Sequence, residues 1–224
     1  MTFQAVLFDL DGTLVDSEPH SAAALAAVLG RDHGITMTPA QREFVLGHSW
    51  NEIYARLATA NVGGLRWSQE DLAARVTAER ARIIAEKGLP LMPGAREAID
   101  RLGAGRQKAI VTGSSHDEAR QALTTLGALM DFPIVIASED YSHGKPAPDG
   151  YLLAARRLAV PPAACRVLED SAPGIAAGRA AGMTVVAVSA GNFLGQDQSA
   201  AHRIVATLND VTLQLLAELA PGGQ

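Results

Sequence analysis

Cysteine, lysine and aromatic residues are all scarce in this chain of 224 residues. Cys165 is the only cysteine, which excludes an internal disulfide and favours a reducing compartment. Lysine occurs at three positions, and the sequence has no run of basic residues. With a net charge of −5, the chain lacks the positive surface that typically binds nucleic acids or anionic membranes. We therefore expect neither kind of partner, although a local pocket can still bind an anion.

Long hydrophobic runs and a basic leader are missing as well. The first ten residues carry an acid inside a short apolar run, which is not the pattern of a signal peptide. The alanine-rich stretch 22–29 is too short to cross a bilayer. Hydrophobic residues nevertheless make up 48% of the chain, which suffices for a buried core. We expect a soluble, cytoplasmic globular protein; the sequence leaves its oligomeric state open, with a monomer favoured.

The sequence does contain a series of short apolar runs that end in turn residues. Such runs are typical of strands that are buried on both faces of a sheet. Between them lie single helical patterns, and this alternation predicts a parallel, doubly wound α/β sheet of the Rossmann-like type. The predicted strands are residues 5–8, 108–111, 134–136, 166–168 and 184–188, with a last short one at 204–205.

One long segment breaks the alternation of strands and helices. From Ser17 to Glu86 the patterns are helical, and residues 38–41 carry the threonine, proline and glutamine that favour a helix start. The stretch 88–94, which contains proline and glycine, then leads back to the strand pattern. We therefore predict a Rossmann-like core of residues 1–14 and 92–224 that carries an inserted α-helical cap domain at about 15–91.

The residues that follow the predicted strands are those suited to chemistry. In open α/β sheets, ligands bind beyond the carboxyl ends of the strands. Four acids, two hydroxyl residues and one lysine are therefore expected to meet at one edge of this sheet. They are Asp9 and Asp11 after the first strand, Thr112 and Ser114 after the second, Lys145 after the third, and Glu169 and Asp170 after the fourth.

Carboxylates that share one crevice repel one another unless a cation lies among them. Two like charges about 4 Å apart cost on the order of 4 kcal/mol at an effective dielectric constant near 20. Oxygen ligands select a hard cation, and a site that must also accept phosphate favours Mg²⁺. A hydroxyl can donate a hydrogen bond to a phosphate oxygen, and a lysine supplies positive charge. This edge of the sheet thus suits Mg²⁺ together with a small phosphorylated metabolite.

Four segments of the sequence resemble the motifs of the haloacid dehalogenase-like (HAD) hydrolases. They occur in the family's order, and the resemblance covers nearly the whole chain. The helical insertion between the first and second motifs resembles the cap of the subgroup that contains β-phosphoglucomutase and sugar-phosphate phosphatases. The resemblance implies a Mg²⁺-dependent phosphatase that works through an aspartyl-phosphate. The four segments are Asp9-Leu10-Asp11-Gly12-Thr13, Thr112-Gly113-Ser114, Gly144-Lys145-Pro146 and Leu168-Glu169-Asp170-Ser171.

The same resemblance implies roles for individual residues. Asp9 is the expected nucleophile, and Asp11 is the expected general acid and base. Mg²⁺ is expected on the Asp9 carboxylate, the Asp11 backbone carbonyl and Asp170, with Glu169 either a ligand or close behind. The expected substrate-binding residues are Gly12, Thr112, Gly113, Ser114 and Lys145, of which Ser114 has helix capping or a loop role as an equal alternative.

Two other functions remain open on the sequence. A mutase of the β-phosphoglucomutase type shares the core motifs and the cap placement, and the segment Leu46–Trp50 distinguishes it. Such mutases carry an arginine where Trp50 lies, and this arginine binds a second phosphate; Arg42 or Arg56 is the available substitute. Their cap histidine has an imperfect match in His20. A non-enzymatic anion-binding protein is less favoured, because each expected catalytic residue type is present.

Overall fold

The computed structural model describes residues 3–45, 50–60 and 65–219. The chain divides into two compact units, of which the first comprises Met1–Asp16 and Pro90–Gln224 and the second Ser17–Leu89. Within the described ranges, none of the helices combines the length and the apolar character that crossing a membrane requires.

The first unit is built on a parallel sheet, which has six strands in the described part of the chain. The strands are β1 (Ala5–Phe8), β2 (Gln107–Val111), β3 (Ile134–Ile136), β4 (Cys165–Glu169), β5 (Thr184–Val188) and β6 (Arg203–Val205). Their order in the sheet is β3-β2-β1-β4-β5-β6. Every residue of β1, β4 and β5 is buried, which explains why apolar residues make up most of these strands.

The described α-helices follow one another along the chain in two groups. The second unit contains α1 (Glu18–His33), α2 (Pro39–Val45), α3 (Trp50–Ala60) and α4 (Gln69–Lys87). The first unit contains α5 (Ala95–Gly103), α6 (His116–Thr125), α7 (Asp149–Leu158), α8 (Ala172–Ala180) and α9 (Leu213–Glu218). The alternation of strands with α6, α7 and α8 is that of a doubly wound α/β sheet.

The core of the first unit follows the two-residue period of its strands. On β1, β2, β4 and β5, the odd-numbered side chains pack with α7 and α8 in one apolar cluster. The even-numbered residues of β1 point to the opposite face, and they are buried as well. In the second unit, apolar residues of α1 to α4 form a separate cluster that includes Leu25, Leu29 and Leu72.

The fold agrees with the sequence prediction: a Rossmann-like parallel sheet carries an inserted set of helices. The predicted helix start at residues 38–41 is observed at the beginning of α2. Thr38 and Gln41 exchange two hydrogen bonds of 2.8 and 3.2 Å, and Ser115 and Glu118 form a capping box at the start of α6. The helices α5 and α9 were not predicted. α5 follows Gly94, whose φ of +81° replaces a side-chain cap.

Candidate active site

The site lies where the order of the strands reverses, between β1 and β4. In the register, Phe8 pairs with Leu168, so Asp9 and Glu169 follow at the same level of the sheet. Phe8 also pairs with Ile110, which places Thr112 just beyond the neighbouring strand end. Such a reversal opens a crevice at the carboxyl edge of the sheet. The order of strands therefore brings the predicted acids and the Thr112 segment together.

Lys145 is the cation at the centre of this crevice. Its Nζ donates hydrogen bonds to Asp9 Oδ1 at 2.5 Å and to Glu169 Oε1 at 2.6 Å. A third bond of 3.3 Å goes to the carbonyl of Val111, which precedes Thr112. The pKa of Lys145 is raised well above its usual value: burial alone lowers it, but the charges of Asp9 and Glu169 outweigh burial. Lys145 thus stays charged between two buried carboxylates.

Glu169 holds Lys145 and the loop after β4 in place. Its side chain is fully buried and continues the odd-numbered face of β4 towards α7. There Oε1 also accepts a hydrogen bond of 3.1 Å from the hydroxyl of Tyr151. Oε2 accepts bonds from the backbone N–H groups of Asp170 and Ser171, both at 3.0 Å, and from the Ser171 hydroxyl at 2.9 Å. These five bonds suit a residue that orients its neighbours.

Asp170 lies against the loop that follows β1. Its Oδ1 accepts a hydrogen bond of 3.2 Å from the Thr13 hydroxyl. Gly12 has a φ of +84°, and a Cβ atom at this position would lie 2.3 Å from Asp170 Oδ2. Glycine is therefore required here both for backbone conformation and for the space that the carboxylate fills.

Asp9, Glu169 and Asp170 together form a group that can hold a metal ion. One carboxylate oxygen from each lies within 4.8 Å of the others. Burial, followed by the charge of Glu169, raises the pKa of Asp9 to about 7 against the attraction of Lys145. Burial and the charges of Glu169 and Asp9 also raise the pKa of Asp170 well above its usual value. One lysine does not neutralise three buried carboxylates, so a hard cation fits this donor set.

Asp11 is held by the segment that follows β2. Its Oδ2 accepts hydrogen bonds from the Ser114 hydroxyl at 2.6 Å and from the Thr112 hydroxyl at 3.3 Å. Thr112 Oγ1 in turn accepts a bond of 3.0 Å from the Ser114 backbone N–H. At Gly113 an added Cβ would meet nothing within 4 Å, so no neighbour demands glycine there. The Asp11 carboxylate is thus oriented by two hydroxyls, outside the three-acid group.

Tyr151 and Gln198 contact this site and were not predicted from the sequence. Tyr151 is the third residue of α7, and its buried hydroxyl faces Glu169 at the end of β4. Gln198 donates a 2.6 Å hydrogen bond from Nε2 to the backbone carbonyl of Asp170. Gln198 lies in the connection between β5 and β6, and no pattern in the sequence links it to Asp170.

The cap residues named for the mutase alternative lie in the second unit. Trp50 packs against the apolar cluster of that unit, and its indole N–H donates a 3.4 Å bond to the carbonyl of Gln69. The guanidinium of Arg56 lies 4.2 Å from the centre of the Phe44 ring. The remainder of the discriminating segment, residues 46–49, lies outside the described residues.

The chain belongs to the haloacid dehalogenase-like hydrolases, whose family model matches residues 3–182. It is 35% identical over 194 residues to the validoxylamine A 7′-phosphate phosphatase of Streptomyces hygroscopicus subsp. limoneus, covering 84% of this chain and 86% of that protein. It is also 35% identical over 195 residues to the fructose-1-phosphate phosphatase YqaB of Escherichia coli strain K12, covering 83% and 96%.

A solved structure is similar over nearly the whole chain. The crystal structure of CbbY from Rhodobacter sphaeroides in complex with phosphate has a TM-score of 0.82 and 25% sequence identity, covering 93% of this chain and 96% of that one. The predicted family is therefore confirmed, and with it the prediction that this chain is an enzyme of the hydrolase class. The roles of the individual site residues stay predictions.

Proposed function

We propose that this enzyme is a Mg²⁺-dependent phosphatase that hydrolyses a small phosphomonoester through an aspartyl-phosphate on Asp9. The observation that carries the proposal is the position of the Asp9 carboxylate. It is buried, bound by Lys145 and surrounded by further acids, while Asp11 lies two residues away. A carboxylate held in this way is a suitable nucleophile for a phosphoryl group.

The reaction proceeds in two displacements at phosphorus. First, a carboxylate oxygen of Asp9 attacks the phosphorus, the bond to the leaving alkoxide breaks, and Asp11 gives its proton to that oxygen. Water then attacks the phosphorus of the aspartyl-phosphate, Asp11 takes up a proton of the water, the bond from phosphorus to the Asp9 oxygen breaks, and inorganic phosphate leaves with the Asp9 carboxylate restored. The hydrogen bond from the Ser114 hydroxyl holds the Asp11 carboxylate for both transfers, while the single proton of the Thr112 hydroxyl turns from Asp11 to the phosphate when substrate binds.

Other residues of the core stabilise the charge on the phosphate. Lys145 supplies a fixed positive charge, which Glu169 keeps in place, and Thr112 donates a hydrogen bond. Asp9, Asp170 and the Asp11 backbone carbonyl would hold Mg²⁺, with Glu169 behind them. Bound Mg²⁺ offsets the repulsion between the Asp9 anion and the phosphate dianion. In this proposal, residues 1–14 and 92–224 form the catalytic core, and residues 15–91 form the cap that selects the substrate.

The relatives support this proposal and narrow the substrate class. Two of them, each 35% identical to this chain, are named as phosphatases, and one acts on fructose 1-phosphate. The predicted enzyme class, a phosphoric monoester hydrolase, agrees with these names. We infer that a sugar phosphate or a similar small phosphomonoester, such as phosphoglycolate, is the substrate.

The decisive experiment is a phosphate-release assay on a panel of sugar phosphates, phosphoglycolate and nucleotides. We expect Mg²⁺-dependent release that EDTA abolishes and added Mg²⁺ restores. Asp9→Asn should lose turnover while keeping the fold, because an amide does not form an acyl phosphate. Asp100→Asn, a change at an exposed acid of α5, is the matched control and should keep wild-type activity. Wild-type turnover by folded Asp9→Asn, or full activity after metal removal, contradicts the proposal.

The mutase alternative needs a cap cation for a second phosphate. The indole of Trp50 packs in the second unit and supplies no positive charge, while Arg56 lies over Phe44. Given β-glucose 1-phosphate, Mg²⁺ and a trace of the bisphosphate, the enzyme should therefore release phosphate and form little glucose 6-phosphate. A coupled glucose-6-phosphate dehydrogenase assay measures glucose 6-phosphate, and a molybdate assay on the same samples measures released phosphate. Faster formation of glucose 6-phosphate than of phosphate identifies a mutase and points to Arg42 or Arg56.

A further inference from the structure

The loop that connects β5 to β6, residues 189–202, contacts two of the site loops although it contains none of the four motifs. Gly191 lies directly against the loop after β1, because a Cβ atom at Gly191 would lie 1.8 Å from the carbonyl oxygen of Gly12. Further along, Gln196 Oε1 accepts a hydrogen bond of 2.8 Å from the backbone N–H of Ala172, at the start of α8. This connection therefore packs on the loops that carry Asp11 and Asp170.

The backbone at Gln196 is itself fixed by a neighbouring side chain. Asn192 donates from Nδ2 to the carbonyl of Gln196 and accepts at Oδ1 from its N–H, both at 2.7 Å. A side chain that binds both backbone groups of one residue holds the turn between them. The turn leads directly to Gln198, so the position of Gln198 is also constrained.

Gln198 makes the contact with the greatest consequence for the site. Its side chain is 6% exposed, and Nε2 donates to the backbone carbonyl of Asp170 at 2.6 Å and to that of Val188 at 3.4 Å. Both partners are acceptors, so the nitrogen end of the amide must face them. Gln198 thus ties the end of β5 to the residue that follows β4.

The bond from Gln198 fixes one peptide plane together with Glu169. The peptide group between Asp170 and Ser171 is planar. Its carbonyl is bound by Gln198 at 2.6 Å, and its N–H is bound by Glu169 Oε2 at 3.0 Å. A planar group held at both ends cannot rotate without breaking one of these bonds. Because the Asp170 side chain leaves from the Cα at the edge of this plane, the two bonds determine where its carboxylate lies.

We propose that Gln198 is a positioning residue that sets the affinity of the site for the divalent cation. The proposal rests on the proposed function, in which Asp170 is a ligand of Mg²⁺. Without the Gln198 bond, the 170–171 peptide is held on one side only, and the Asp170 carboxylate loses its fixed position. Groups that orient metal ligands typically contribute 10- to 100-fold to metal affinity or activity. Gln198 acts on the backbone of the ligand residue, so about tenfold is expected.

Two substitutions remove the amide donor of Gln198 while keeping a side chain of similar size. Gln198→Met removes the donor and keeps an unbranched side chain, and Gln198→Glu replaces the amide by a carboxylate that cannot donate when ionised. Mg²⁺ binding is measured by isothermal titration calorimetry on the purified full-length protein without substrate. The dissociation constant should rise about tenfold in both variants. Phosphate release should need correspondingly more Mg²⁺, while KM for the substrate at saturating Mg²⁺ stays near the wild-type value.

The matched control is Gln214→Met in α9. Gln214 is exposed and donates a 2.8 Å hydrogen bond to Glu218, away from the site loops. It should leave Mg²⁺ binding unchanged. If either folded Gln198 variant binds Mg²⁺ with wild-type affinity, even with a lowered melting temperature, the role is structural and the inference fails. If the wild-type protein binds no Mg²⁺, the proposed metal site fails, and the inference about Gln198 with it.

Discussion

Gly12, in the first motif, is required both by the backbone conformation of its loop and by the space that the Asp170 carboxylate occupies. Its positive φ of +84° is unfavourable for residues with a Cβ atom, and that Cβ would occupy the place of the Asp170 carboxylate. Gly182 also has a positive φ, of +73°, but a Cβ there would meet nothing within 4 Å. Comparing substitutions at these two glycines therefore distinguishes the cost of backbone strain from the effect of displacing a site residue.

We predict that Gly12→Ala and Gly182→Ala differ in their effect on the metal site. Both should lower the free energy of unfolding by about 1–2 kcal/mol through backbone strain. Gly12→Ala should lower it further and should also weaken Mg²⁺ binding at least tenfold, because the methyl group displaces Asp170. Urea unfolding and calorimetric Mg²⁺ titration measure the two effects. Equal Mg²⁺ affinity in the two variants would show that the Asp170 carboxylate adapts to the methyl group.

At the residue scale, the sequence predicts the composition of the site better than its hydrogen bonds. The acids at the ends of β1 and β4 come together because parallel neighbours end at one edge. The bond from Ser114 to Asp11 depends on how the loop after β2 turns, and strand patterns do not specify this. The bond from Gln198 to Asp170 joins residues 28 positions apart, and only the packed structure brings them together.

At the scale of elements, side chains cap several helix starts, but a cap did not ensure that the helix was predicted: Thr212 caps α9, which the sequence pattern missed. Ser68 and Ser115 precede α4 and α6, and each accepts a hydrogen bond from the backbone N–H three residues later. α5 has no such signal, because Gly94 begins it through its backbone conformation, and the sequence pattern missed it. The strands β1, β4 and β5 were predictable because burial on both faces produces mostly apolar runs between turn residues.

Ser171 caps α8 and also binds a charged residue of the site, which leads to a prediction about its removal. Its hydroxyl oxygen accepts from the Gly174 N–H at 3.1 Å, and its hydroxyl donates to Glu169 at 2.9 Å. Ser171→Ala should lower the free energy of unfolding by about 2.5–4 kcal/mol, since a cap contributes about 1 kcal/mol and a hydrogen bond to a charged group about 1.5–3 kcal/mol. Urea unfolding gives the value.

The control for this prediction is Ser68→Ala in the second unit. Ser68 caps α4 on the surface: it accepts from the Asp71 N–H at 3.1 Å and donates to the Asp71 carboxylate at 2.8 Å, a bond that is exposed to solvent and therefore contributes little. Loss of this cap should cost about 1 kcal/mol and leave turnover unchanged. Ser171→Ala should also reduce turnover, because Glu169 holds Lys145. If both variants lose the same free energy of unfolding and keep full activity, the bond from Ser171 to Glu169 does not contribute to turnover.

At the scale of the whole molecule, the site is a concentration of negative charge that the rest of the fold must stabilise. Burial raises the pKa of Asp9 to about 7, whereas the ordinary value is 3.8. The folded protein without metal therefore binds more protons than the unfolded chain between about pH 4 and pH 7. Its stability accordingly falls as the pH rises through this window, by at most about 1.4 kcal/mol per pH unit for one group. The raised pKa of Asp170 acts in the same direction.

Mg²⁺ competes with the proton on Asp9, so we predict that the affinity for Mg²⁺ depends on pH. Below pH 7 the metal must displace a proton, and above pH 7 it need not. Mg²⁺ affinity should therefore rise about tenfold between pH 6 and pH 8 for one displaced proton, which corresponds to about 1.4 kcal/mol. The measurement is the increase in melting temperature on adding Mg²⁺, taken at each pH. His202, whose pKa is lowered by burial and by the charge of Arg179, changes stability in the opposite direction over the acidic range. The difference between samples with and without Mg²⁺ cancels that contribution, because His202 lies outside the three-acid group.

An increase in melting temperature that does not depend on pH would mean that Asp9 is already ionised at pH 6, and the raised pKa assigned to Asp9 would be wrong.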